Sequence, residues 1–304
     1  MDTMTLLKML ERPTGCPDMV LDTDAYNEID DQFAISYALR ASDKMTVKAL
    51  YAAPFHNNRS TSAADGMEKS YNEILTLLKL AGREDMLANT YRGSLTYLPD
   101  EKTPVDSDAA RDLAERAKGY TSENPLYVVA IGAITNVASA ILMAPEIVNN
   151  IVIVWLGGHA WHWTHNKEFN LHQDIAAARV IFGCGAPVVQ LPCSGVVSEF
   201  RLSKPELEYW FKGKNPLADY LAQGAIDEAD SYAKGKPWTR VIWDVTAIAW
   251  LTDRTNFLSS TIEHSPIPEY DGHFAHDANR HFMRYVRGIN RDALMADLIR
   301  VICG

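Results

Sequence analysis

Five short apolar runs recur along the chain: Met19 to Leu21, 47 to 55 (VKALYAAPF), 126 to 136 (LYVVAIGAITN), Ile151 to Leu156, and 187 to 192 (PVVQLP). Longer segments with helical spacing lie between them. Such runs are too short for buried helices, and the intervening segments are long enough to cross from one parallel strand to the next. This alternation demands an α/β fold with a mostly parallel central sheet flanked by helices. Helices are expected over Phe33 to Leu39, 72 to 82 closing on Gly82, 136 to 150, 174 to 185, 244 to 253 and 291 to 302. The last hundred residues read as mainly helical. No repeat, low-complexity tract or linker interrupts the pattern, so residues 1–304 are read as one domain, and 47% apolar residues suffice for its core.

The first run leads into an unusual charge density. Asp22, Asp24, Glu28, Asp30 and Asp31 fall within ten residues, and an apolar rhythm then resumes. Carboxylates so crowded repel one another unless a cation or hydrogen-bond donors lie among them. Helix capping explains Asp30 and Asp31. It does not explain Asp22 and Asp24, whose alternation places both on one side of an extended strand tip. In an open parallel sheet, ligands bind beyond the carboxyl ends of the strands, where these acids lie. Hard oxygen ligands suit Ca²⁺ or Mg²⁺, and no Cys or His cluster at usable spacing points to a transition metal.

Composition excludes several other classes. With 29 Lys and Arg against 39 Asp and Glu, a net charge of −10 offers little to nucleic acid or an anionic membrane. No apolar run reaches 18 residues, and the charged N-terminus is unlike a signal peptide, so a cytoplasmic location is expected. Cys16, Cys184, Cys193 and Cys303 are scattered without CxxC spacing, which argues against zinc and a disulfide framework. An EF-hand loop fails because Tyr26 and Asn27 occupy its fifth and sixth positions. A phosphatase of the haloacid dehalogenase type also carries DxD after a strand, but Tyr26 stands where it has Thr or Val.

An ordered set of segments resembles the inosine-uridine-preferring nucleoside hydrolase family. Its signature is a strand, DxD, a short loop and a DD pair opening a helix. DTDAYNEIDD follows that pattern with two extra loop residues, Asn27 and Glu28, and without the usual Pro-Gly after DxD. AIGAITN (130 to 136), the strand ending WLGG, KEFN (167 to 170) with Asp174, and IWDVTAIAW (242 to 250) follow in order. The resemblance spans roughly residues 19 to 300. It implies a Rossmann-like nucleoside hydrolase architecture, hydrolysis of ribonucleosides to base and ribose, Ca²⁺ as cofactor, a nucleoside as small-molecule partner, and a homodimer or homotetramer.

Carried over by position, the resemblance gives Asp24, Asp31, the Ile131 carbonyl and Asp244 as calcium ligands, with Asp22 supporting them. Ile131 stands where the family usually has Thr. Ribose hydroxyls fall to Asp30, Asn57 or Asn58, Glu168 and Asn170. Breaking an N-glycosidic bond builds positive charge on the ribose ring, which a girdle of carboxylates and amides favours over the neutral substrate. Asp24 is the expected general base for a metal-bound water. Many family members have His before the last metal Asp, but this chain has Trp243, as purine-preferring members do, where an indole stacks on the base. Core packing is the competing account of Trp243.

The loop HAWHWTHNKEF is expected to line or lid the pocket, with His162 or Asn166 toward the 5′ side of the sugar. One of His264, His273, His276 and His281 is a candidate substitute acid. Two alternatives stand beside the hydrolase: a nucleoside- or ribose-binding protein without catalysis on the same scaffold, and the DxD phosphatase.

Overall fold

The computed structural model describes residues 1–253 and 256–304. Its centre is an eight-stranded sheet of β1 (Asp18–Thr23), β2 (Thr46–Ala52), β3 (Thr90–Arg92), β4 (Leu126–Ala130), β5 (Ile151–Leu156), β6 (Val188–Leu191), β7 (Leu258–His264) and β8 (Phe282–Ile289). The spatial order is β3-β2-β1-β4-β5-β6-β8-β7. All neighbours run parallel except β7, which pairs antiparallel with β8. Helices cover both faces and divide the core into two apolar clusters. Burial on both sides explains why β4 and β5 are apolar at every position.

The chain reverses its direction of growth between β1 and β4, so their carboxyl ends splay apart into a crevice. Asp22 pairs in register with Ala130 at that point. The acids after β1 and the AIGAITN turn after β4 therefore face one another. This is the position expected for them from the strand pattern.

Boundaries depart from the sequence reading for identifiable reasons. The helix closing on Gly82 runs Ala63–Ala81, starting well before residue 72, with Ser62 accepting from the Asp65 amide and Gly82 left-handed at φ 67°. Gly66 obscured that start. It is there because a Cβ would sit 2.0 Å from the Phe55 carbonyl oxygen. The helix expected over 136 to 150 ends at Met143, and Pro145 opens a separate 3-10 turn, since proline has no N–H to continue the helix.

The C-terminal third is less helical than expected. Helices Val245–Thr252 and Arg291–Cys303 form as read, but β7 and β8 extend the sheet between them. In β8 the buried Met283 and Tyr285 alternate with the half-buried Arg284, a period-two signal masked by its arginines. Among the described residues no helix is long and apolar enough to cross a membrane.

Candidate active site

A cavity of about 230 Å³ opens in the crevice, lined by Asp24, Asp30, Asp31, Glu168, Asn170 and Asp244 together with aromatic and amide side chains. Each acid is placed by a different element. Asp22 lies in β1, Asp24 just beyond it, and Asp30 and Asp31 in the first turn of helix Asp30–Arg40. Asp244 sits at the N-terminal cap position of helix Val245–Thr252. Carboxylates at helix N-termini are favoured by the backbone dipoles, which offsets part of their burial.

Oxygen atoms of Asp30, Asp31 and Asp244 lie within 4.8 Å of one another. Thr23 donates to Asp31 Oδ1 at 2.5 Å. Asp24 is 1% exposed and neither of its carboxylate oxygens has a protein partner. Burial, then the charges of Asp31 and Asp30, holds its carboxyl well above the usual carboxylate range. Burial likewise raises Asp31 and Asp244, and lifts Asp30 to about 7. Such crowding is costly for a bare protein. A hard divalent cation fits it, because the donor set is anionic oxygen and a buried carboxylate stands unpaired beside it. The close triad contains Asp30, expected on ribose, and omits Asp24, expected on metal.

The supporting residues form a second tier. Asp22 is fully buried, with Oδ1 accepting from Asn136 Nδ2 at 2.7 Å, and burial lifts its pKa to about 7. Asn136 also donates to the Ala52 carbonyl at 3.2 Å and accepts from the Ser94 amide at 2.7 Å. Gly93 is required here, since a Cβ would lie 2.4 Å from Asn136 Nδ2. Asn136 lies within the AIGAITN segment, and the residue pattern there gives it no role of its own. Its position at the β4 tip, opening a helix, was the available signal.

Glu168 caps helix Phe169–Gln173, its oxygens accepting from Gly158 (2.8 Å), Asn170 (2.9 Å) and Leu171 (3.0 Å) amides. Asn170 Nδ2 donates to the Ile131 and Leu156 carbonyls, both at 3.1 Å. In this structure the Ile131 carbonyl expected on the metal is thus held by Asn170.

Other expected residues are placed differently. Asn58 is exposed and outside the cavity lining, and the half-buried Asn57 donates to Asn27 Oδ1 at 2.6 Å. It is therefore Asn27, with Glu28, that reaches the cavity from the two-residue insertion. Trp243 is half-buried and lines the cavity while also packing against the core, so the two accounts of it coexist. Of the histidines and tryptophans in the loop only His159 lines the cavity, beside Lys167, Glu168 and Phe169 at the loop's end; His162 is exposed, and Asn166 is buried behind, accepting from the His159 amide at 2.8 Å. None of His264, His273, His276 and His281 lines it.

The family model described as inosine-uridine preferring nucleoside hydrolase matches residues 19–295. The chain belongs to that family. The hydrolase is 28% identical over 264 residues to the pyrimidine-specific ribonucleoside hydrolase RihA of Escherichia coli (strain SMS-3-5 / SECEC), covering 77% of this chain and 78% of that protein. Its fold matches the plant nucleoside hydrolase PpNRh1 with a TM-score of 0.76 at 20% identity, over 96% of this chain and 100% of that one. It also matches the purine-preferring ribonucleoside hydrolase from Gardnerella vaginalis, with a TM-score of 0.74 at 21% identity over 94% and 98% of the two chains. The hydrolase is thus an N-ribohydrolase with the α/β fold of its family, and the phosphatase alternative falls away.

Proposed function

We propose that this hydrolase cleaves the N-glycosidic bond of purine ribonucleosides to free base and ribose, with Ca²⁺ held by Asp24, Asp31 and Asp244 and with Asp24 as general base. The observation that carries the reading is the unpaired, buried carboxylate of Asp24 set among Asp30, Asp31 and Asp244 in one cavity with Trp243. Bound there, Ca²⁺ supplies a water of lowered pKa and neutralises the carboxylates.

The protein's own groups account for the remaining chemistry. Asp24 takes a proton from the attacking water as oxygen bonds to C1′ of the ribose. The C1′–N bond breaks, its electron pair leaves with the base, and a solvent proton completes the free base. Asp30, Glu168 and Asn170 accept from or donate to the ribose hydroxyls, favouring the cationic ring of the transition state. Glu168 is held rigidly for this by its three backbone amides. Trp243 gives the base an apolar face to stack on. RihA relatives are named for pyrimidines, so the preference for purines rests on Trp243 alone. The homo-oligomer expected of the family is part of this reading, and light scattering measures it.

The test is reducing-sugar release from inosine, adenosine, guanosine, uridine and cytidine, with calcium added or chelated. Release from purines, lost on chelation, is the expected result. Release confined to pyrimidines overturns the base preference; no release with calcium bound favours a nucleoside-binding role.

A further inference from the structure

Glu28 and Trp243 both line the cavity; Arg240 does not, yet it joins them. The Arg240 guanidinium donates to Glu28 Oε2 at 2.5 Å and pairs with Glu228, on helix Pro216–Ala233, at 3.0 Å. Its carbon lies 5.2 Å from the centre of the Trp243 ring. Arg240 itself is fixed by a two-stranded ribbon, Arg201–Ser203 against Thr239–Val241, where it pairs with Leu202. The residue is 8% exposed.

A guanidinium so buried is tolerated only because carboxylates offset its desolvation. With two acids on one cation, little positive field is left for the cavity. What Arg240 contributes is therefore position. It backs the indole from outside the cavity, so that the ring plane is held before a base arrives.

The insertion is fastened on both sides of this contact. Asn27 accepts from Asn57 at 2.6 Å, and Glu28 holds Arg240. We propose that Arg240 is a positioning residue for base recognition: clamped by Glu28 and Glu228, it fixes Trp243 as the wall on which the base stacks, and the Asn27–Glu28 insertion supplies the clamp. This rests on the ribohydrolase reading with the base against Trp243.

The experiment compares wild type, Arg240→Met, Arg240→Lys and Glu28→Gln, with calcium present. It measures kcat and KM for a purine nucleoside, and inhibition constants for the free base and for D-ribose. Losing one ordered stacking contact corresponds to about three- to tenfold in affinity. Arg240→Met is expected to weaken the base by that factor and leave D-ribose unchanged, with KM rising more than kcat falls. Arg240→Lys should restore part of the loss. Glu28→Gln, a conservative change at a more exposed residue, should shift the same constant in the same direction by less. Base and ribose weakening together, or an unchanged base constant in Arg240→Met and Glu28→Gln, overturns the role. Wild-type protein that releases no ribose fails the ribohydrolase reading itself, a result distinct from either.

Discussion

Asn136 donates to Asp22 Oδ1 at 2.7 Å across 114 residues of sequence, joining the helix after β4 to the tip of β1. The bond spans the point where the two strands part. Asp22 does not line the cavity, whereas Asp24, two residues on, does. The amide therefore anchors the strand end that delivers Asp24. Asn136 is fully buried and has no solvent to replace what it provides.

Asn136→Ala would strand Asp22 Oδ1, the Ala52 carbonyl and the Ser94 amide together. Each buried group left unpaired costs about 1–3 kcal/mol, and neighbouring losses are not additive, so a destabilisation of about 2–4 kcal/mol is expected. Urea unfolding of both proteins measures it. A change below 0.5 kcal/mol, the range of ordinary surface substitutions, contradicts the anchoring role.

Asp24→Asn separates chemistry from stability. As general base, Asp24 should be worth about 10²–10⁴ in kcat, with a smaller effect on KM. In chelated protein near neutral pH the same substitution removes the cost of either charging or protonating a buried carboxyl beside Asp30 and Asp31, so its melting temperature should rise. Steady-state kinetics and thermal melts with EDTA read the two effects independently. Loss of activity with loss of stability would make Asp24 structural.

Much of the fold was legible because β4 and β5 are apolar and buried at every position, and β1, β2 and β6 carry apolar runs broken only by single polar residues such as Lys48 and Gln190. β7 and β8 were not, since Glu263, Arg284 and Arg287 place charges within them and break the apolar run that marks the inner strands. At the site, DTDAYNEIDD announced Asp22, Asp24, Asp30 and Asp31 by charge density alone. Asn136 and Arg240 were invisible for the opposite reason. Each acts through partners distant in sequence, Asp22 and Glu28, which only the folded chain brings near.

Metal-free protein should lose stability as pH rises. Asp22 and Asp30 titrate near 7 in the folded state, against an ordinary value of 3.8. The folded state thus binds more protons than the unfolded chain between about pH 4 and 7. Stability from these groups is complete below pH 4 and falls through pH 7, by several kcal/mol in order of magnitude. Calcium favours the ionised carboxylates and should flatten the slope. Urea midpoints from pH 4.5 to 8, with EDTA or with calcium, measure this. A chelated protein that grows more stable toward pH 8 contradicts the buried, uncompensated carboxylates.

Glu168 combines two duties that substitution can divide. Its three amide bonds cap helix Phe169–Gln173 and hold Gly158, while the same carboxylate faces the cavity. Glu168→Ala abandons both and should cost about 1–2 kcal/mol in stability as well as activity. Glu168→Gln keeps one carbonyl oxygen as acceptor but offers no negative charge to the developing ribose cation. It should stay within about 1 kcal/mol of wild type in stability while kcat falls about tenfold or more. Denaturant titration beside ribose-release kinetics separates them. If Glu168→Gln retains full kcat, the residue is a helix cap and the transition state is stabilised by the other acids alone.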